Sequence, residues 1–384
     1  MPWEETTRMK QRVRFIVDLE SCLYTMTELC ERYEISRKTG YKWAQRYVAE
    51  GPQGLQDRSR AVRSCPHRTG EKVAAALVSL REAHPTWGPR KLLAVLHRRE
   101  PEVSWPAVST AGDILKRHGL VQPRRVRQKT WPHSGRPVTP AEAPNEVWTV
   151  DFKGHFRTGD GELCYPLTVV DRYSRYLLGV EGLDSVAESR AWPVFEQLFR
   201  QYGLPQVIRS DNGSPFASGS AVAGLSRLSV RWIKLGIRPE RIEPGHPEQN
   251  GAHERMHRTL KAETARPPAP NAVTQQDLFD QFRRVYNEQR PHEALSQQPP
   301  AEFYRCSPRP YPSEIPKPEY PGHFETRYVH QGGKMRWKGE YLFVSESLEK
   351  ERVGLEEVDD GVWSVYFGPV LLARFDEREK KLYQ

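Results

Sequence analysis

Three acidic residues, widely separated in a chain of 384, stand where carboxylates could do chemistry together. Asp151 ends an apolar run in WTVDFKG, Asp211 lies in SDNGSPF, and Glu254 lies in HPEQNGAHERMHRTLK. Two carboxylates leaving adjacent strand ends, joined by a third from a helix packed across them, can converge on hard cations. Mg²⁺ accepts one or two carboxylates while keeping waters and phosphate oxygens. Two such ions clamp the attacking and departing oxygens of an in-line phosphoryl displacement. Singly, each acid has an ordinary reading: an Asp before Asn-Gly forms turns, and a Glu on a basic helix pairs at i,i+4. Asp171 and Glu248 are rival ligands. The signal is the combination.

Positioning those acids takes an alternating α/β frame. From Asn145 the pattern predicts strands over 147–152, 163–171 and 176–180, with turns at Gly159-Asp160-Gly161 and Arg172 to Arg175. A helix over 185–202 follows, then a strand over 206–210, a fifth strand over Val230 to Leu235, and a long basic helix from His246 to Thr264. This order matches a ribonuclease H-like α/β core with a mixed sheet.

The charge is unevenly spread. The chain carries 58 Lys/Arg against 49 Asp/Glu, a net +9; residues 1–140 alone hold +12, 141–310 balance, and 311–384 hold −3. Such a bias is the footprint of a nucleic-acid-binding segment. Two basic stretches, Arg58 to Arg68 and Val121 to Pro140, are rich in Pro, Ser or Gly and read as linkers that track phosphates. Around them lie two helix trios. In the first, Val13, Ile16, Val17, Leu19 and Leu23 mark a helix, Thr25-x-x-Glu28 a capping box, and Ser36 the cap of a helix over 37–50. That is a helix-turn-helix pattern presenting Arg37, Lys38, Thr39 and Lys42, with Tyr41 or Trp43 as anchor and Gly40 explained by close approach to DNA or by chance. The second trio spans 71–83, 89–99 and 104–118, with Ser104 as cap, Gly119 as terminator, and Lys116 and Arg117 outward.

Past a proline-dense segment, short alternating runs between Lys334 and Phe375 suggest a small SH3-like β-barrel. Cys22, Cys30, Cys65, Cys164 and Cys306 are scattered, which argues against a disulfide framework or a Cys-rich zinc site. No apolar run approaches a membrane span, and Met1 to Glu20 is too charged for a signal peptide, so a cytosolic protein is expected.

On WTVDF, SDNG and PEQNGAHER, and on YNEQRPHEAL followed by QQPPAEFY, the segment from Asn145 to Tyr304 resembles the integrase-core transposases of bacterial insertion sequences, relatives of the retroviral integrases. The resemblance implies a DDE polynucleotidyl transferase whose catalytic, metal-holding residues are Asp151, Asp211 and Glu254. It selects Glu254 over Glu248, because Glu254 follows the Pro-x-x-Asn-Gly stretch. It implies two Mg²⁺ ions, with Mn²⁺ able to substitute, and Mg-dependent cleavage followed by 3′-hydroxyl strand transfer into target DNA. It further implies binding of double-stranded DNA at element ends and target, self-association to a dimer or higher multimer, and a nucleoid-associated bacterial location without a membrane. The alternatives are a metal nuclease of the same fold and a non-catalytic, transposase-derived DNA-binding protein.

Two departures stand out. Asp211 and Glu254 are 43 positions apart, longer than is usual in the retroviral relatives, with the surplus placed around Ala217 to Arg227 or Arg238 to Gly245, outside the strands. No His/Cys cluster precedes the core, so end recognition falls to the helix-turn-helix units. The expected DNA contacts are Arg37, Lys38, Thr39, Lys42, Arg58, Arg60, Arg63, Lys116, Arg117, Arg124, Arg125, Arg127, Arg258 and Lys261. The last two lie at i+4 and i+7 from Glu254 and share its face, whereas His253, Arg255 and His257 point elsewhere. Asn212 and Gly213 shape the turn under Asp211, and Asn250 and Gly251 start the Glu254 helix. The expected domains are helix-turn-helix modules at 1–56 and 71–120, joined by basic linkers at 57–70 and 121–144. The core follows at 145–305, a Pro-rich linker at 306–325, and the barrel at 326–384.

Overall fold

In the computed structural model, which describes residues 7–58, 68–121, 138–218, 222–243, 246–379 and 381–383, capping side chains set the first three helices. α1 (Arg8–Glu20) opens where the Thr7 side chain accepts from the Lys10 amide. α2 (Met26–Arg32) has the expected capping box: Thr25 N donates to Glu28 Oε2 at 2.7 Å, and Glu28 N donates to Thr25 Oγ1 at 3.4 Å. α3 (Arg37–Glu50) is capped by Ser36. Phe15, Ile16, Leu29, Cys30, Trp43 and Leu55 form the core of this unit, which spans Met1–Arg68. Val13, Val17 and Leu23 are exposed, so α1 buries Phe15 and Ile16 rather than the whole apolar series its spacing suggested. Trp43, not the exposed Tyr41, is the anchor of α3. A Cβ on Gly40 would sit 2.6 Å from Cys30 Sγ and 3.0 Å from Met26 Sδ. The glycine serves helix packing, not an approach to DNA.

The second unit, Thr69–Gln384, begins with α4 (Glu71–Ala83), α5 (Pro89–Arg99) and α6 (Val108–Arg117) around Leu77, Trp87, Leu92, Leu96 and Ile114. α6 is shorter than expected. Pro106 lies between Ser104 and the helix, whose N-cap is Ala107, so Ser104 caps nothing. Gly119, at φ +71°, ends it as foreseen.

The α/β core follows in the order β1 (Val147–Phe152), β2 (Phe156–Arg157), β3 (Leu163–Asp171), β4 (Leu177–Leu183), α7 (Glu188–Tyr202), β5 (Val207–Ser210), α8 (Arg227–Lys234), β6 (Arg238–Arg241), α9 (Gly251–Thr264) and α10 (Ala272–Glu288). The sheet runs β2-β3-β1-β5-β6, with β4 on β3. β1, β3 and β4 pair antiparallel, while β1, β5 and β6 pair parallel, giving the expected mixed sheet. Alternation along β1 sends Trp148 and Val150 to one face, where they meet Phe195 and Phe199 of α7 and Leu228 and Trp232 of α8. On the other face Val170 and Val180 meet Met256 and Leu260 of α9 and Phe279 and Phe282 of α10.

The strand expected over Val230 to Leu235 is instead helical, as α8. Ser226 and Ser229 cap each other reciprocally at its start, and Leu228, Val230, Trp232 and Ile233 are all buried. The strand that follows β5 is β6, so residues 238–241 are not spacer, and part of the long interval before Glu254 is regular structure.

The C-terminal sheet comprises β7 (Glu325–His330), β8 (Lys334–Trp337), β9 (Glu340–Phe343), β10 (Arg352–Asp359), β11 (Val362–Phe367), β12 (Val370–Asp376) and β13 (Lys381–Tyr383). Its strand order is β13-β12-β11-β10-β7-β8-β9, a curled antiparallel half-barrel. The proline-dense segment before it lies on the core: Leu204 N donates to Arg309 O at 2.7 Å, and Ser307 N donates to Tyr202 O at 2.8 Å. Val230 and Ile233 of α8 pack into the core of the C-terminal sheet, and Lys234 pairs with Glu351 at 2.7 Å. Among the described residues no helix is long and apolar enough to cross a membrane.

Candidate active site

β1 and β5 run parallel with Thr149 opposite Arg209. Asp151 and Asp211, each two residues further on, therefore leave neighbouring chains at one level and toward one face, where strand spacing is about 4.8 Å. A tight turn presents Asp211: its Oδ1 accepts from Gly213 N at 3.1 Å, and Asn212 Nδ2 donates to Ile242 O at 2.8 Å. Asn212 and Gly213 thus hold the turn as anticipated.

α9 brings Glu254 in its first turn, exposed, while the helix buries His253, Met256, His257 and Leu260 against the sheet. The two histidines are fixed by strand threonines. His253 Nδ1 is 2.8 Å from Thr149 Oγ1, and Thr168 Oγ1 lies 2.6 Å from His253 Nε2 and 2.7 Å from His257 Nε2. The same hydroxyl is 3.0 Å from the Asp151 carbonyl. Burial, reinforced by Arg172 and Lys153, pushes His253 down to about 3. Burial and the neighbouring His253 also hold His257 neutral. His257 Nδ1 is 3.5 Å from Asp151 Oδ2, a contact of a neutral imidazole rather than an ion pair. The expectation that His257 points away from the acids is therefore corrected: α9 buries it against the sheet, where its Nε2 meets Thr168 Oγ1 and its Nδ1 lies near Asp151.

An open cleft of about 600 Å³ is lined by Asp151, Lys153, Glu254, His257, Arg258, Lys261 and Arg266. The Asp151 carboxyl is pushed up to about 7, first by burial and then by the charge of Asp211; Glu254 adds a smaller push and Lys153 opposes. The three acids thus share one electrostatic field. Among the described residues, however, no three His, Cys, Asp or Glu side chains are gathered into a ready-made metal cage. Mutually repelling carboxylates offering only oxygen suit a hard divalent cation, whose charge offsets that repulsion, so the donor set fits Mg²⁺.

Asp171 is removed as a rival ligand. It is fully buried; its Oδ1 accepts from Asn145 N at 2.8 Å, and its Oδ2 accepts from Ser174 N at 2.8 Å and Ser174 Oγ at 2.6 Å. It staples the start of β1 to the turn after β3. The side chain of Glu248 lies outside those described.

Of the expected DNA contacts, Arg37, Lys38 and Lys42 are exposed on α3, with Lys42 Nζ 4.5 Å from the Trp43 ring centroid. Thr39 is half-buried, and its hydroxyl is 2.9 Å from Ser36 Oγ at the helix cap. Arg58 pairs with Glu50. Lys116 and Arg117 are exposed in the last turn of α6. Arg258 and Lys261 line the cleft with Glu254. Arg60, Arg63, Arg124, Arg125 and Arg127 lie outside the described residues. The sequence reading missed Lys153 and Arg266 in the cleft. Lys153 was within reach of that reading, being two residues past Asp151 at the same strand end.

Residues 141–247 and 235–300 match the family described as Integrase core domain. Residues 11–61 match a Helix-turn-helix domain, 39–115 a Homeodomain-like domain, and 324–382 the IS481 family transposase C-terminal domain. An uncharacterized 39.2 kDa protein of insertion element IS476 from Xanthomonas euvesicatoria is 26% identical over 62% of this chain and 66% of its own length, just under two thirds. An uncharacterized 31.7 kDa protein of insertion element IS407 from Burkholderia multivorans is 28% identical over 62% of this chain and 82% of its own. A chain of the simian T-cell lymphotropic virus intasome overlays with a TM-score of 0.38 at 18% identity, over 77% of this chain and 97% of that one.

Proposed function

We propose that the chain is an insertion-sequence transposase with a retroviral-integrase-like core, like the insertion-element proteins it is similar to, and that it cuts DNA at the ends of its element and joins the freed 3′-hydroxyl to target DNA. Asp151, Asp211 and Glu254 are the catalytic carboxylates in this reading. The observation that carries it is the parallel register that sets Asp151 and Asp211 at neighbouring strand ends, with Asp151 and Glu254 sharing a cleft with Lys153, Arg258, Lys261 and Arg266; burial first, and then the charge of Asp211, push the Asp151 carboxyl up there.

Two Mg²⁺ ions, or Mn²⁺ in their place, held by the three carboxylates would supply the Lewis acidity for displacement at phosphorus. The chain's own residues do the rest. Lys153, Arg258, Lys261 and Arg266 hold the phosphate backbone along the cleft. Thr149 and Thr168 lock α9 through His253 and His257, and so fix where Glu254 stands relative to Asp151. α3 enters a major groove with Arg37, Lys38 and Lys42, and the second helix trio adds Lys116 and Arg117. The terminal inverted repeats are the DNA so read. Joining two ends calls for at least two copies of the chain, working on DNA in the bacterial cytoplasm.

The test is to incubate purified full-length chain with labelled end fragments, with Mg²⁺ or with chelator, and to size the products. Cleaved and joined strands are expected with Mg²⁺ only. Asp211→Asn should abolish both while leaving end binding intact. Cleavage that survives this substitution removes the site assignment, and cleavage without joining reduces the enzyme to a nuclease.

A further inference from the structure

On the other side of α9 from the acidic cluster lies a second, separate hollow of about 300 Å³. Lys91 of α5, Arg175 from the turn after β3, Arg255 and Arg258 of α9, and Arg290 after α10 line it, against the one acid Glu293. Four structural pieces thus contribute cations to one concavity: the second helix trio, the turn after β3, α9 and the segment following α10.

Part of that charge is already satisfied. Arg290 Nη1 is 3.0 Å from Glu263 Oε1, and the Lys91 ammonium donates to the Pro291 carbonyl. The rest is not. Arg255 and Arg258 are exposed and have no carboxylate partner among the described residues. Arg175 Nη1 is shut off from solvent and has no hydrogen-bond partner, and His292 Nε2 in the same hollow is likewise orphaned. A buried guanidinium nitrogen without an acceptor is costly, and in a native fold it calls for a ligand or an unseen partner. Burial and the neighbouring Arg255 also depress Arg175, against the opposing pull of Tyr286 and Asp171, and burial with Arg290 brings Lys91 down to about 8.

We propose that this hollow seats a backbone phosphate of the bound DNA, held by Arg175, Arg255 and Arg258 and completed by Lys91 from the second helix trio. Its forked donors match phosphate geometry. Arg258 lines both this hollow and the catalytic cleft, so one strand can pass from the acids over α9 to the phosphate seat. A helix is about 10 Å across, about three base steps at 3.4 Å. The seat therefore registers the duplex a fixed few nucleotides from the cut, and Lys91 makes that register depend on the second helix trio. The inference rests on the chain being a DNA-binding transposase but does not depend on its catalytic acids.

The test uses the full-length chain in chelator and reads binding of a labelled duplex by anisotropy across a salt series. Arg255→Gln, on an exposed helix face, and Arg175→Gln, which share the one seated phosphate, should each flatten the plot of log affinity against log salt by up to one phosphate contact, a slope change of at most about 0.9. Arg190→Gln, which removes the same charge from an exposed pair with Asp184, is the control and should leave the slope unchanged. Millimolar inorganic phosphate should raise the melting temperature of the parent chain more than that of Arg255→Gln. If Arg175→Gln does not fold, Arg255→Gln decides alone. Slopes equal to the control overturn the seat, and protection by free phosphate with unchanged slopes overturns its assignment to DNA. If the parent chain itself fails to bind duplex, it is the proposed function that fails.

Discussion

Replacing Asp151 by Asn should make the metal-free protein more stable. An ordinary aspartate titrates near 3.8, and this one is pushed up to about 7 by burial and by Asp211 and Glu254. At about 1.4 kcal/mol per pH unit, ionising it in the fold costs about 4 kcal/mol. Local relaxation and water entry trim this to about 2 kcal/mol. The sign follows from linkage. Below 3.8 the carboxyl is neutral folded and unfolded, so the burden is absent; it grows from 3.8 to about 7 and is constant above. The amide, neutral throughout, should gain about 2 kcal/mol at pH 8 and about a third of that at pH 5. In a core of this size that is about 4–8 °C of melting temperature, read in chelator by the fluorescence of the buried Trp148 and Trp232. Adding Mg²⁺ should stabilise the parent more than the variant and close the gap. An Asp151→Asn chain no more stable than the parent at pH 8, or equally advantaged at pH 5, would refute the shared field on which the site assignment stands.

Other substitutions probe the frame. Thr168→Val strips the hydroxyl that His253 and His257 share and should cost about 1–3 kcal/mol in denaturant unfolding, with end cleavage falling as α9 loosens. Gly40→Ala improves helix propensity yet forces a methyl onto Cys30 Sγ, so the first unit's melting should drop by a net 1 kcal/mol or about that. Trp232→Ala empties the site of a fully buried indole and should cost about 3–5 kcal/mol by urea titration. Glu254→Gln should abolish cleavage while leaving the melting temperature within about 2 °C, since the side chain is exposed; a large loss of stability would make Glu254 structural.

Much of this was legible in the chain because local chemistry agreed with the final fold. The capping box at Thr25 and Glu28, the edges of β1 and β3, and the span of α3 all followed from side chains acting within a few residues. α8 was misread because Val230 and Trp232 alternate like a strand, while its second buried side, Val230 and Ile233, exists only because a distant sheet covers it. Close approach to DNA and chance stay open for Gly40 in the sequence because its cause, Cys30, lies on another helix. His257 was read as pointing away because nothing local announces Thr168 as its partner across the sheet. The acids themselves were recognisable by motif, but the basic hollow was not. Lys91, Arg175 and Arg290 are strangers in sequence, brought together only by packing.

The double duty of α8 bears on anyone wishing to dissect this chain. Trp232 and Leu228 serve the central sheet while Val230 and Ile233 are roofed by the C-terminal one, and Lys234 is tethered to Glu351. A catalytic fragment trimmed after residue 305 would shed that roof together with the Arg309 strap beneath it, leaving a greasy stripe bare to water. Such a fragment should clump or pair off through the uncovered stripe, and any oligomer it forms would be a scar of the trimming rather than a clue to the native assembly.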